Sequence, residues 1–302
     1  MWDRCLFVFV VVGAASCSQS APVVRSSPPA VVQEPEEPAS LTYLGVAGWQ
    51  LSSGSATLLV DPYFTRVARA DDERPLAPDE TQISRYAPAH ADAILVGHSH
   101  YDHLLDVPSL ARRTGAVVVG TESTSHVARA SGPSSARIVV AHPGEELRIG
   151  PFHVQVVGAL HSLTGQLDGV IPNDVSLPML ARDYREGGTL QYLVHFGQHT
   201  VLFIGTANFV EANLTGLRPE VAVVAIGLRE KIPDYTCRIM HALGNPRRVF
   251  PNHFDDLRAP LEPGASYAAE TQAELNAFAV EVRACSPETR VEIPITMRPT
   301  SL

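Results

Sequence analysis

Three imidazoles and a carboxylate fall within six residues at His98-Ser99-His100-Tyr101-Asp102-His103, directly after the apolar run from Ala91 to Gly97. Neutral imidazole nitrogen and carboxylate oxygen are donors that zinc, iron and manganese accept, whereas a structural zinc site more usually includes thiolates. The chain has four cysteines, none of them near this stretch. A solvated loop needs no such density of His and Asp, which is the usual sequence trace of a metal site.

The elements around the cluster must position it. Ala93-Ile94-Leu95-Val96-Gly97 is a short continuous apolar run ending in Gly, the pattern of a strand buried on both faces. Leu104 to Asp106 and Ser109 to Arg113 read as helical, which puts the cluster in a strand-to-helix loop. Open α/β sheets place their chemistry in such loops, at the carboxyl ends of strands. On a tight turn His98 and His100 can point one way while Asp102 and His103 project to a neighbouring position, which suits two adjacent metals.

These residues resemble the His-x-His-x-Asp-His signature of the metallo-β-lactamase superfamily. Leu58-Leu59-Val60-Asp61-Pro62-Tyr63-Phe64 is similar to the strand ending in Asp that precedes the signature. Val156-Val157-Gly158-Ala159-Leu160-His161 and Val249-Phe250-Pro251-Asn252-His253-Phe254 look like the later strands that end in histidine ligands. Gly45-Val46-Ala47-Gly48-Trp49 and the Asp61 segment resemble the branch that holds ascorbate-lactonase-like proteins and relatives of N-acyl-phosphatidylethanolamine phospholipase D. The resemblance implies an α/β fold, the four-layer αββα sandwich. It also implies that His98, His100 and His161 hold one metal and Asp102, His103 and His253 a second, with Asp61 orienting from behind. Zinc is the expected cofactor, as one or two ions, with manganese or iron(II) as alternatives. Read on its own, His161 has the alternative of a buried histidine bonded to backbone, but its place at a strand end favours a ligand. Asp255 and Asp256 read as a solvated turn or helix start.

The chain departs from the superfamily at one position. Where an Asp normally bridges both metals, Val201-Leu202-Phe203-Ile204-Gly205-Thr206-Ala207-Asn208 has Thr206. Three outcomes stay open: one ion bound tightly and a second weakly, another acid such as Asp168, Asp174 or Glu211 substituting, or a decayed site. The first is preferred, because the other donors are all present. The resemblance implies a hydrolase in which a metal-activated water attacks an ester, lactone, amide or phosphodiester, with Asp102 and His103 closest to the chemistry. The alternative is a non-catalytic or mononuclear metal-binding envelope lipoprotein. Thr206 and Asn208 are positioned to hydrogen-bond substrate or water, the Ser162–Gly188 segment to form the mouth, and His241 to approach substrate from the helix expected over Asp234 to Gly244.

The first sixteen residues have the charge and apolar core of a signal peptide, too short to span a bilayer. Ala14-Ala15-Ser16-Cys17 resembles a lipoprotein box, so export to the bacterial envelope with a lipid anchor at Cys17 is expected, an ordinary secretory signal being the alternative. Residues 17–40, rich in Pro and Ser, read as a linker. From Leu41 about 260 residues remain for one large domain. Strand-like runs recur at Thr57–Asp61, Val117–Gly120, Val154–Val157, Tyr192–His195, Val201–Ile204 and Val221–Ile226, and Ala268–Ala284 is the clearest helix. Cys237 and Cys285 are either a disulfide, in an oxidising compartment, or a packed free pair. A net charge of −9 without a basic run argues against nucleic acid as a partner and leaves a small-molecule or lipid-like substrate.

Overall fold

The computed structural model describes residues 38–68, 73–132 and 137–302. The expected signal peptide, the Cys17 lipidation site and most of the linker lie outside the described residues. The linker's last two residues, Ala39 and Ser40, instead belong to the first strand, where Ala39 pairs with Ser53 and Ser40 lies between Ser52 and Ser301.

The first half of the domain builds one sheet from β1 (Ala39–Gly45), β2 (Gly48–Ser53), β3 (Ala56–Val60), β4 (Ala93–Leu95), β5 (Val117–Gly120) and β6 (Ile138–Val140). The second half builds another from β7 (Glu146–Ile149), β8 (Phe152–Ala159), β9 (Thr189–Phe196), β10 (His199–Ile204), β11 (Val221–Ala225), β12 (Arg248–Asn252) and β13 (Arg290–Val291). A last strand, β14 (Pro299–Ser301), returns to pair with β1, so the sheet orders are β14-β1-β2-β3-β4-β5-β6 and β13-β12-β11-β10-β9-β8-β7. Strands β3 to β6 run parallel, as do β10 to β13.

Strand β4 illustrates why these segments are strands. Ala93 and Leu95 join the cluster that fills the space between the sheets, while Ile94 and Val96 join a second cluster under the outer helices. Both faces are therefore dry, as a continuous apolar run demands. Helices α1 (Glu80–Tyr86), α2 (Tyr101–Leu104), α3 (Val107–Thr114) and α4 (Glu122–Ala130) follow first-sheet strands, and Ile83, Leu110 and Val127 pack with Leu59, Ile94 and Val118. Helices α5 (Glu211–Leu214), α6 (Tyr235–Ala242) and α7 (Ala269–Cys285) serve the second sheet, burying Ile239, Leu275 and Phe278. The result is the expected four-layer αββα sandwich. Among the described residues no helix is long and apolar enough to cross a membrane.

Cys237 on α6 and Cys285 at the end of α7 form a disulfide, with Cα atoms 5.4 Å apart. It closes a loop with a sequence separation of 48, for which chain entropy alone gives about 4 kcal/mol at most. Replacing both cysteines with serine should lower the unfolding free energy by about 2–4 kcal/mol, read from denaturant melts. Identical melts with and without reductant would contradict this.

Candidate metal centre

The site is assembled at the carboxyl ends of five strands: Asp61 follows β3, His98 lies beyond β4, His161 beyond β8, Thr206 beyond β10, and His253 follows β12. His100 has an extended backbone (φ −64°, ψ 155°) and stands immediately before α2. Asp102 and His103 therefore sit on a helical turn rather than in the loop, which separates them from His98 and His100.

Two groups of three donors result, His98 with His100 and His161, and Asp102 with His103 and His253. Within each, one donor atom per residue lies within 4.8 Å of the others. His98 Nε2 is 3.1 Å from His100 Nδ1, His253 Nε2 is 3.2 Å from Asp102 Oδ2, and His103 Nε2 is 3.6 Å from the same oxygen. A tetrahedral ion with bonds of 2.0–2.1 Å separates its ligands by roughly 3.3 Å, so these spacings match a shared ion. His103 Nε2, which faces Asp102, is buried and without a hydrogen-bond partner among the described residues. The residues fit a metal.

Electrostatics points the same way. Burial, reinforced by the neighbouring imidazoles, holds His98 and His100 below the usual histidine range and lowers His161 to about 3. Burial works against ionisation of Asp102, but His103 and His253 outweigh it and hold the carboxyl well below its ordinary value. Neutral imidazoles and an ionised carboxylate are the protonation states a metal requires. His103 is the exception: burial works against its charged form, but Asp61 and Asp102 together outweigh it and raise its value.

Asp61 reaches His103 because of two glycines. Its backbone is left-handed (φ 44°), its Oδ1 accepts the Gly97 N–H at 2.6 Å, and its Oδ2 lies 3.0 Å from His103 Nδ1. A Cβ on Gly97 or Gly205 would lie 2.9 or 2.7 Å from that oxygen. With Nδ1 turned to Asp61, the lone pair of Nε2 faces Asp102 and His253, the usual orientation of a metal-binding histidine by a carboxylate. His100 Nε2 lies 3.3 Å from the Leu167 carbonyl, which leaves Nδ1 facing His98. His253 is set by its N–H, which donates to Val46 at 2.8 Å, and by Gly227, where a Cβ would meet the His253 carbonyl at 2.7 Å.

Not every expected residue arrives. His241 is exposed, with Nε2 3.2 Å from the Cys285 carbonyl, because its side of α6 faces α7; it does not line the cavity at the donors. Asn208 supports His161 rather than facing substrate. Its Nδ2 donates to the His161 carbonyl at 2.9 Å, and its Oδ1 accepts the Phe209 N–H. Thr206 does line the cavity, with Ser162, Tyr101, Leu167 and Leu228, around a volume of about 330 Å³. None of the proposed substitutes for the missing Asp is there: Asp168 and Asp174 are exposed, and Glu211 pairs with Arg238 at 3.0 Å.

Two acids have roles that the sequence concealed. Asp255 is no solvated turn: it accepts from the Tyr43 hydroxyl at 2.8 Å and the Val46 N–H at 2.7 Å, and pairs with buried Arg66 at 2.9 Å. Asp106 looks like a helix cap before Val107-Pro108, yet its carboxylate turns away from α3. It accepts the N–H groups of Phe64 and Thr65, at 2.6 and 2.8 Å, and the Thr65 hydroxyl. It thereby ties the segment after Asp61 to the helix pair that carries Asp102 and His103. Burial raises its carboxyl to about 6, although the bonds from Thr65 and Phe64 oppose the shift.

Two facing mixed sheets with a metal-type donor set at their strand ends define a metallo-β-lactamase fold. The chain belongs to the beta-lactamase superfamily, whose domain model matches residues 56–254. It is 27% identical over 260 residues to a UPF0173 metal-dependent hydrolase of Rubrobacter xylanophilus, which spans 85% of this chain and 98% of the relative. Among solved structures, Igni18, a metallo hydrolase from Ignicoccus hospitalis, superposes with a TM-score of 0.60 at 17% identity, over 88% of this chain and 98% of the other. CmlA, a diiron β-hydroxylase from Streptomyces venezuelae, shares the fold with a TM-score of 0.56 at 16% identity, over 89% of this chain and 55% of its own.

Proposed function

We propose that this protein hydrolyses an ester, lactone, amide or phosphodiester at the cavity between His98 and His253, with zinc as its resident ion. It is a metal-dependent hydrolase of its superfamily; the observation that carries the reading is the convergence of two three-donor groups on one cavity. A site under decay should lose several donors, and here His98, His100, Asp102, His103, His161 and His253 all converge. The diiron centre named for CmlA makes iron the alternative metal. The likeness of the Gly45–Trp49 and Asp61 segments to ascorbate-lactonase-like and phospholipase D-like proteins supports a lactone or a phosphodiester.

A divalent cation at the donors supplies Lewis-acid polarisation of the substrate oxygen that gains charge, and lowers the pKa of water toward neutrality. The chain's own part is to position. Asp102, ionised and lining the cavity, can accept a hydrogen bond from the attacking water. His103 is held against Asp102 by Asp61, and Leu167, Leu228 and Tyr101 narrow the approach. With imidazoles alone in one group and a single carboxylate in the other, one ion would be held tightly and a second weakly.

We place the protein in the cell envelope, on the apolar N-terminal segment and Cys17; the Cys237–Cys285 disulfide supports an oxidising compartment. A lipid anchor at Cys17 would keep it at the membrane, and no nucleic-acid partner is proposed. The functional reading is tested with the purified chain on bis(p-nitrophenyl) phosphate, p-nitrophenyl butyrate and a γ-lactone. Turnover should vanish on chelation, return with zinc and be absent in His100→Ala. Turnover that survives both chelation and the substitution would overturn it.

A further inference from the structure

Thr206 stands where a metal-bridging carboxylate is expected, and its surroundings show what it does instead. Its Oγ1 accepts the Ser162 N–H at 2.9 Å and lies 2.6 Å from the Ser162 hydroxyl, while Ser162 Oγ accepts the Ala207 N–H at 2.8 Å. The two hydroxyls thus clasp the segment after β8 to the segment after β10, with Thr206 only 3% exposed. Both residues line the cavity.

Counting protons and lone pairs shows what the pair has left to offer. A hydroxyl has one proton and two acceptor sites. Whichever hydroxyl donates to the other, the receiving oxygen already holds a backbone N–H and becomes saturated as an acceptor. That oxygen keeps only its proton, the donating oxygen keeps one lone pair, and both residues line the cavity. A carboxylate at this position would present negative charge to the same space. The substitution therefore exchanges an anionic group for a neutral pair with one proton to donate, and leaves Asp102 as the only carboxylate in either donor group.

We propose that the Ser162–Thr206 pair is a substrate-binding element of this chain: it donates one hydrogen bond to an anionic or charge-gaining oxygen of the substrate, such as a phosphoryl or tetrahedral acyl oxygen, and is not a metal ligand. This rests on the hydrolase reading above. Preorganised donors aimed at developing negative charge are a major source of catalytic stabilisation. Ser162 was not singled out by sequence, because a serine after a strand-end histidine carries no signal until Thr206 is seen against it.

The test uses inorganic phosphate as the oxyanion probe, titrated calorimetrically into the metal-loaded chain, with elemental analysis of the same samples. Thr206→Val and Ser162→Ala should keep the wild-type metal content and bind phosphate roughly 10- to 100-fold more weakly, the factor that a hydrogen bond to a charged group commands. Thr206→Ser, which keeps the hydroxyl and loses only the methyl group, should bind phosphate like the wild type, whereas a packing role for the methyl would weaken binding in Thr206→Ser and spare it in Thr206→Val. Thr206→Asp should gain metal and lose phosphate affinity. Metal lost in Thr206→Val alone would make the hydroxyl a ligand and overturn the proposal, as would phosphate affinity that is undetectable in the wild type or unchanged in folded variants. A wild-type chain that holds no metal at all would instead bring down the hydrolase reading on which it rests.

Discussion

Asp102→Asn is expected to lower kcat/KM by about 10³-fold or more, corresponding to several kcal/mol of charge stabilisation. The substitution keeps the side chain's shape and removes its charge. Asp102 Oδ2 lies 3.2 Å from His253 Nε2 and 3.6 Å from His103 Nε2, and is the only carboxylate in either donor group. It should also strip the weaker ion, because the remaining donors of that group are imidazoles, which bring no negative charge. Turnover and metal content of the variant check this together, with a thermal melt to confirm folding. A variant within tenfold of wild type and with unchanged metal content would mean that the second group takes no part.

The other large effect is expected at Asp61→Ala. This residue is buried and does not line the cavity, yet metal affinity should fall by about 10- to 100-fold, the usual cost of losing the group that orients a metal-binding histidine. The substitution frees His103 Nδ1 and leaves the Gly97 N–H without its acceptor at 2.6 Å. Gly205→Ala should move in the same direction by a smaller amount, since its Cβ would stand 2.7 Å from the Asp61 carboxylate. Competition against a chromophoric chelator measures both. Wild-type affinity in both variants would show that Asp61 is only a structural bond to Gly97.

How much of this was legible depended on whether the cause lay inside a short stretch of chain. The contiguous His98–His103 cluster put four donors in plain view, and strands β4, β5, β10 and β11 announced themselves because both their faces are buried. Strands β6, β7, β13 and β14 are short and partly exposed, and exist because a neighbour supplies their ladder. His161 and His253 were placed by family resemblance and by their position at strand ends, since the side chain alone does not separate a ligand from a core histidine. Asp106 and Asp255 were hidden for a related reason: Phe64 is 42 residues from Asp106, and Tyr43 is 212 from Asp255. The helix carrying His241 was correctly expected, but its periodicity did not reveal that this position faces α7.

The six converging donors should hold metal with unequal strength, which elemental mass spectrometry of the purified chain, before and after dialysis against a weak chelator, can read. More than one ion per chain is expected before dialysis and one after it. Absence of metal after expression in metal-replete medium would contradict it.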